Sequence, residues 1–221
     1  NFNQSGRNMT TYANRANDFI TGNYSGADAS KPFVLTINYP DAHLPLHNLA
    51  PTNNTNDADT LPKNPIAWAD VQTFPWLGAT SQKLRTDTAA YYNCLRRLDD
   101  GINMVLQHLD NAGYTNDTLI IYMGDHGAQF SRAKTSVYEV GLRVPFIVKW
   151  PGNTVDRPGV DAAGEFNYDH HLVSTTDIMP TMLQAAGVDV PSHCSGYALQ
   201  PLLKNESPPW RKYIFGHTTG S

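Results

Sequence analysis

The sequence is poor in the features that place a chain quickly. Only two cysteines occur in 221 residues, Cys94 and Cys194, and no CxxC pair is present. That excludes a disulfide framework and a cysteine-based zinc site, and the plain reading is one or two buried free thiols. Long apolar runs are also missing. Phe33-Val34-Leu35 and Leu119-Ile120-Ile121-Tyr122-Met123 fall far short of the ~20 residues a bilayer-spanning helix needs, so they read as buried strands and no membrane span is expected. There is no run of Lys and Arg, and a formal net charge of −4 removes any electrostatic argument for nucleic acid. The opening Asn1-Phe2-Asn3-Gln4-Ser5-Gly6 has neither an initiator Met nor a signal-peptide apolar stretch, a start that suits a mature secreted chain or a fragment.

What remains is the composition of an ordinary globular protein, 40% hydrophobic and 16% charged, at a length that suits one large domain or part of a bigger one. Asn-X-Ser/Thr sequons recur at Asn3, Asn8, Asn23, Asn53, Asn116 and Asn205, and their density favours the secretory pathway. Met9, Tyr12, Ala16 and Phe19-Ile20 are spaced as in a helix within 7–20, with Gly22 as its stop. Phe33–Asn38 is rich in strand formers. From Pro40 to Thr80 no period emerges among Pro, Asn, Asp and Thr, so this stretch reads as a long loop or insertion. Leu84, Thr88, Tyr91, Leu95, Leu98, Ile102, Val105 and Leu109 recur every three or four residues as a long amphipathic helix, stopped by Gly113. Strands follow at Thr118–Met123 and within 144–150, and Thr175 or Thr176 is placed to cap a helix that ends at Gly187. Long helix followed by all-apolar strand is the α/β pattern, which predicts a largely parallel sheet with helices on both faces.

In such sheets ligands bind at the carboxyl ends of strands. Two strand ends each present an Asp and a His: Asp41-Ala42-His43 after Phe33–Asn38, and Gly124-Asp125-His126-Gly127 after Thr118–Met123. Glycines beside Asp125-His126 allow a tight turn and close approach of the backbone to a ligand. A carboxylate suits a hard divalent cation, an imidazole either coordinates a cation or hydrogen-bonds an anion, and Lys134 one loop later offers a point positive charge. Each signal alone is also that of a solvated turn, a surface histidine or a solvated lysine. Together they point to metal-assisted anion or ester chemistry.

The run from Asp125-His126-Gly127 through Lys134, Tyr138 and Gly141-Leu142-Arg143-Val144-Pro145 to Trp150-Pro151-Gly152 resembles the second half of the sulfatase core, in the alkaline phosphatase superfamily. Arg97-Leu98-Asp99-Asp100-Gly101, Asp41-Ala42-His43-Leu44-Pro45, Val173–Thr181, Ala186-Gly187-Val188 and Leu199–Leu203 resemble further segments of that family in the same order, so the likeness runs along nearly all of the chain. The spacing around Lys134 is most similar to the heparan N-sulfatase branch. The resemblance implies an alkaline phosphatase-like α/β core, incomplete at both ends, with residues 1–221 forming the C-terminal half of a catalytic domain. It implies that Asp125 is a Ca²⁺ or Mg²⁺ ligand and that His126 is a ligand or sulfate contact. Lys134 would bind a sulfate oxygen, and His43 would bind the sulfate and help the leaving group depart. The implied substrate is a sulfated carbohydrate or glycosaminoglycan, and the implied location is secreted, extracellular or lysosomal.

The family's nucleophile, a Cys or Ser in Cys/Ser-X-Pro/Ala-X-Arg that becomes formylglycine, has no match around Cys94, Cys194 or Ser131. The expectation is therefore that a missing N-terminal segment, on this or a partner chain, supplies formylglycine, and that the chain alone does not hydrolyse sulfate esters. Two alternatives stay open: a phosphodiesterase or phosphatase of the same superfamily, and a catalytically dead, sulfatase-like structural or glycan-binding protein.

Overall fold

Asn8 starts the first helix, α1 (Met9–Ile20), because its side chain accepts the Thr11 N–H and so satisfies one of the helix's unpaired donors. The computed structural model describes residues 6–44, 46, 62, 64–154, 171–206 and 208–216. The sequons at Asn3 and Asn53, together with Pro45 and positions 47–61, lie outside the described residues. The chain divides into two compact units, one holding residues up to Thr115 together with His126–Arg143, the other holding Asn116–Asp125 and the residues from Val144 onward.

In the first unit, Met9, Ala13, Ala16 and Ile20 form the buried stripe of α1, which packs on the long helix α2 (Gln82–Asn111). At 30 residues α2 is ~45 Å long. Gly101 sits where the helices meet: a Cβ there would lie 2.8 Å from the Met9 sulfur. Ser81 caps the start of α2. At its end Gly113, at φ +82°, lets Tyr114 N–H return to Leu109 O and its own N–H to Asp110 O, the double bond of a Schellman stop. Cys94 is fully buried on α2, and both cysteines are free thiols. A single-turn helix, α3 (Glu139–Leu142), belongs to the same unit.

Residues 33–39 alternate in burial, with Phe33, Leu35, Ile37 and Tyr39 half-buried and Val34, Thr36 and Asn38 exposed. The expected strand is thus present as alternation, but it joins no ladder among the described residues. Its inward face is covered by helix side chains and helix ends instead: Phe33 packs edge-on against Phe19 and Tyr114, and Tyr39 lies on Tyr12. The described part of the 40–80 stretch docks on α2. Asn93, buried in α2, accepts from Ile66 N–H and donates to Ile66 O, and Arg85 donates to Val71 O and Ala69 O.

In the second unit, β1 (Ile120–Met123) pairs with β2 (Phe146–Lys149), running Ile120 opposite Lys149 to Met123 opposite Phe146. This ladder is antiparallel, and it is the one pairing among the described residues of a core whose sheet is expected to be largely parallel. The intervening chain returns β2 alongside β1 in the opposite sense, and Gly124 N–H to Pro145 O extends the pairing by one bond. Ser174, not Thr175 or Thr176, caps the next helical stretch. Its hydroxyl accepts from Thr176 N–H while Asp177 accepts from Ser174 N–H, so the turn at 175–177 feeds α4 (Ile178–Ala185). Asp177 is fully buried and also receives Tyr197 N–H and both Arg211 terminal nitrogens. Leu199 N–H donates to Thr181 Oγ1, which seats the short helix α5 (Gln200–Leu203). Among the described residues no helix is long and apolar enough to cross a membrane.

Candidate functional site

The chain leaves β1 through Gly124 and Asp125, which is exposed and is the last residue before the chain passes out of the second unit. His126 to Lys134 belong to the first unit, as does His43. Gly127 is buried for a steric reason. A Cβ there would lie 2.3 Å from Val140 O and 2.9 Å from Gly141 Cα, both in α3. The close approach that the sequence suggested is therefore to the protein's own backbone. Gly141 repeats the requirement from the other side, with 2.4 Å to Ala133 O and 2.5 Å to Ser136 O.

Between these glycines the loop folds on itself. Ala128 O accepts from both Phe130 N–H and Lys134 N–H, and Ser136 Oγ donates to Arg132 O and lies 2.9 Å from Ala133 O. Arg132 and Thr135 sit at φ +67° and +62°, a left-handed conformation that non-glycine residues adopt at a cost of ~1–2 kcal/mol each. Strain on both sides of Lys134 persists because Ala133, fully buried, pins the loop. Phe130 adds an anchor, edge-on to Phe74 at 5.1 Å and to Tyr91 at 5.6 Å. Lys134 is half-buried and makes no ion pair among the described residues.

Both histidines have their tautomer set locally. His43 Nδ1 lies 2.8 Å from Leu44 O, and His126 Nδ1 lies 2.7 Å from Gly127 O. A carbonyl only accepts, so each Nδ1 carries hydrogen and each neutral ring bears its lone pair on Nε2. In the neutral form of His126, Nε2 is the atom with a lone pair that suits a cation, and only the protonated form donates from Nε2 to an anion. Asp125 and His126 are donor types that fit a divalent cation, although Ca²⁺ takes oxygen by preference and calls for more ligands than these. Among the described residues no three His, Cys, Asp or Glu side chains gather as a metal cluster.

Asp41, the second carboxylate that the strand-end argument singled out, faces inward. Its side chain is fully buried, gripped by Arg97 through Nε at 2.7 Å and Nη2 at 2.8 Å, with Arg7 at 3.4 Å. A bidentate Arg–carboxylate pair is among the strongest and most directional side-chain contacts, so this carboxylate is structural. Arg7 also donates to His43 O at 2.8 Å, and Leu44 N–H donates to Gln129 Oε1 at 2.8 Å. The His43 turn is therefore tied to the loop that carries His126 and Lys134. Sequence reasoning assigned no role to Arg7, Arg97 or Gln129. Arg97 had a usable signal: it stands in the apolar stripe Cys94–Leu98–Gly101 of α2, where a charge has to find a buried partner.

Solved structures define the class of fold. The chain matches, with a TM-score of 0.64 and 20% identity, a Bacteroides thetaiotaomicron protein solved in work on the metabolism of multiple glycosaminoglycans, covering 88% of this chain and 39% of that one. It matches Ps i-CgsB, solved with k-i-k-neocarrahexaose, with a TM-score of 0.57 and 23% identity, covering 90% and 39% respectively. The shared architecture is the alkaline phosphatase-like α/β fold of sulfatases. The sequence pattern of the sulfatase family matches residues 1–188, and the chain belongs to that family. Curated relatives include the arylsulfatase of Clostridium perfringens, 28% identical over 208 residues (87% of this chain, 42% of that protein). Human N-sulphoglucosamine sulphohydrolase is 28% identical over 232 residues (96% and 43%). The chain thus spans well under half the length of these relatives.

Proposed function

We propose that this chain carries the sulfate-holding part of a sulfuric ester or sulfamate hydrolase that acts on a sulfated carbohydrate. The observation that carries this reading is the tie from Leu44 N–H to Gln129 Oε1, which joins the His43 turn to the strained loop bearing His126 and Lys134. Lys134 supplies a positive charge to a sulfate oxygen, where charge builds as the ester bond breaks. His43, with Nδ1–H spent on Leu44 O, carries its transferable proton on Nε2 when protonated, and that proton passes to the departing oxygen or nitrogen. Asp125, with His126 beside it in sequence, would hold a Ca²⁺ or Mg²⁺ ion, which when bound supplies Lewis-acid charge stabilisation. The family nucleophile, formylglycine, has no matching motif around Cys94 or Cys194, and this reading assigns it to the rest of the complete protein. Secretion to an extracellular or lysosomal compartment goes with the reading, and exposed turns carry the sequons at Asn23 and Asn116.

The test compares aryl sulfate with aryl phosphate as substrates of the complete protein. Sulfate hydrolysis is expected to dominate, with His43→Ala and Lys134→Ala each lowering kcat by ~10²–10³-fold without unfolding the protein. Dominant phosphate hydrolysis, or near-normal turnover in either variant, would overturn the assignment.

A further inference from the structure

We propose that Gln129 is the positioning residue that fixes the ring of His43, an inference that rests on the role proposed above for that histidine. His43 and Leu44 are both exposed, and an exposed turn does not by itself hold an imidazole in one orientation. Here the backbone on both sides of the ring is held. Gln129 Oε1 grips Leu44 through its N–H at 2.8 Å, and the carbonyl of the same residue receives His43 Nδ1–H at 2.8 Å. On the other side, Arg7 Nη2 donates to His43 O at 2.8 Å and His43 N–H donates to Pro40 O at 2.8 Å. Arg7 is steadied in turn by Asp41, whose buried carboxylate Arg97 clamps. One side of this brace comes from Arg7, just before α1, backed by Arg97 of α2. The other comes from the loop that holds Lys134, through a bond spanning 85 positions of sequence.

Gln129 acts on His43 only through Leu44, so its loss frees the Leu44 carbonyl to turn, and with it the tautomer and aim of the ring. An acceptor at position 129 is what matters. Gln129→Met keeps much of the length and volume but has no oxygen, whereas Gln129→Glu keeps an oxygen for Leu44 N–H.

The experiment uses the complete protein with ¹⁵N-labelled histidine, reading the His43 ring by NMR and turnover on an aryl sulfate. In wild type and Gln129→Glu, His43 is expected as a single Nδ1–H tautomer. In Gln129→Met the ring is expected to populate both tautomers, with kcat down ~10–100-fold, KM within about threefold, and kcat largely restored by Glu. An unchanged His43 tautomer in Gln129→Met, or a Met variant with wild-type kcat, overturns the proposal. Should Gln129→Met fail to fold, Arg7→Met loosens the other side of the turn and is expected to give the same ring response; an unaltered ring there overturns it equally. If wild type shows no sulfatase activity while the ring still responds to Gln129→Met, the catalytic reading falls and the positioning role stands.

Discussion

Gly127 and Gly113 are both required to be glycine, but for different reasons. Gly113 has a left-handed φ, and no heavy atom lies within 4 Å of where a Cβ would stand, so alanine there costs only the backbone preference, ~1 kcal/mol. Gly127 has no room, because its neighbours at 2.3 and 2.9 Å are backbone atoms of α3 that cannot swing aside. Gly127→Ala is therefore expected to lower stability by about 1–3 kcal/mol and to displace the loop that carries His126. Urea unfolding of the two alanine variants side by side checks this, and a Gly127 variant no less stable than the Gly113 variant would contradict it. The same contrast explains what is legible at this scale. The Asp-His-Gly tripeptide reads from sequence as a ligand-facing turn, but which atoms approach the glycine is fixed by α3, four residues long and too short to show a period. Asp41 illustrates the converse: its type and place suggest a ligand, and only the position of Arg97 on the buried stripe of α2 reveals it as structural.

The long helices are legible in the sequence nearly to the residue, whereas the strands are legible as spans, 118–123 and 144–150 for β1 and β2, but not in their pairing. The helices at 9–20 and 82–111 carry their own caps and glycine stops, so their boundaries are written locally. The run at 33–39 carries only alternation, and whether such a run enters a ladder depends on chain elsewhere. The loop from 128 to 136 lies between these cases. It has neither period nor turn dipeptide, and its shape follows from hydrogen bonds that converge on Ala128 and Ala133 carbonyls. Its left-handed residues give a direct test. At Arg132, φ +67°, a β-branched side chain is strongly disfavoured whereas glycine is at ease. Arg132→Val is expected to cost about 1–2 kcal/mol and Arg132→Gly to stay near wild type, the relief of strain offsetting the lost contact of its guanidinium with Tyr138. Thermal unfolding measures the order, and a valine variant as stable as the glycine variant would show that the loop is not held in this conformation.

Across the described residues, each unit holds a buried carboxylate in a two-nitrogen grip from arginine: Asp41 with Arg97 in the first, Asp177 with Arg211 in the second. Such pairs contribute less to net stability than to fixing which segments meet, because desolvation offsets much of their attraction. A half-buried phenol in the first unit gives the pH response of global stability a distinct signature. Burial, and then the neighbouring Tyr12, push the Tyr39 phenol up to about 12. Tyr12 is raised as well, by burial first and the Asp41 charge second, with Arg15 opposing. Below pH ~10 Tyr39 is protonated in both folded and unfolded chains, so it contributes no pH dependence there. Between ~10 and about 12 the unfolded chain releases its proton while the folded one keeps it, so stability falls with rising pH across that window and levels off above it. A shift of this size corresponds to at most ~2.7 kcal/mol, and partial exposure of the ring to solvent reduces the expected loss to about 1–2 kcal/mol. Tyr39→Phe removes the ionisable group but keeps the ring packed on Tyr12, so it should flatten that part of the decline while leaving stability at pH 8 within about 1 kcal/mol of wild type. Urea midpoints for both proteins from pH 8 to 12, with phenolate absorbance followed in parallel, make the comparison. Parallel declines in the two proteins would mean that Tyr39 titrates alike folded and unfolded, and that the segment it ends is not packed as described.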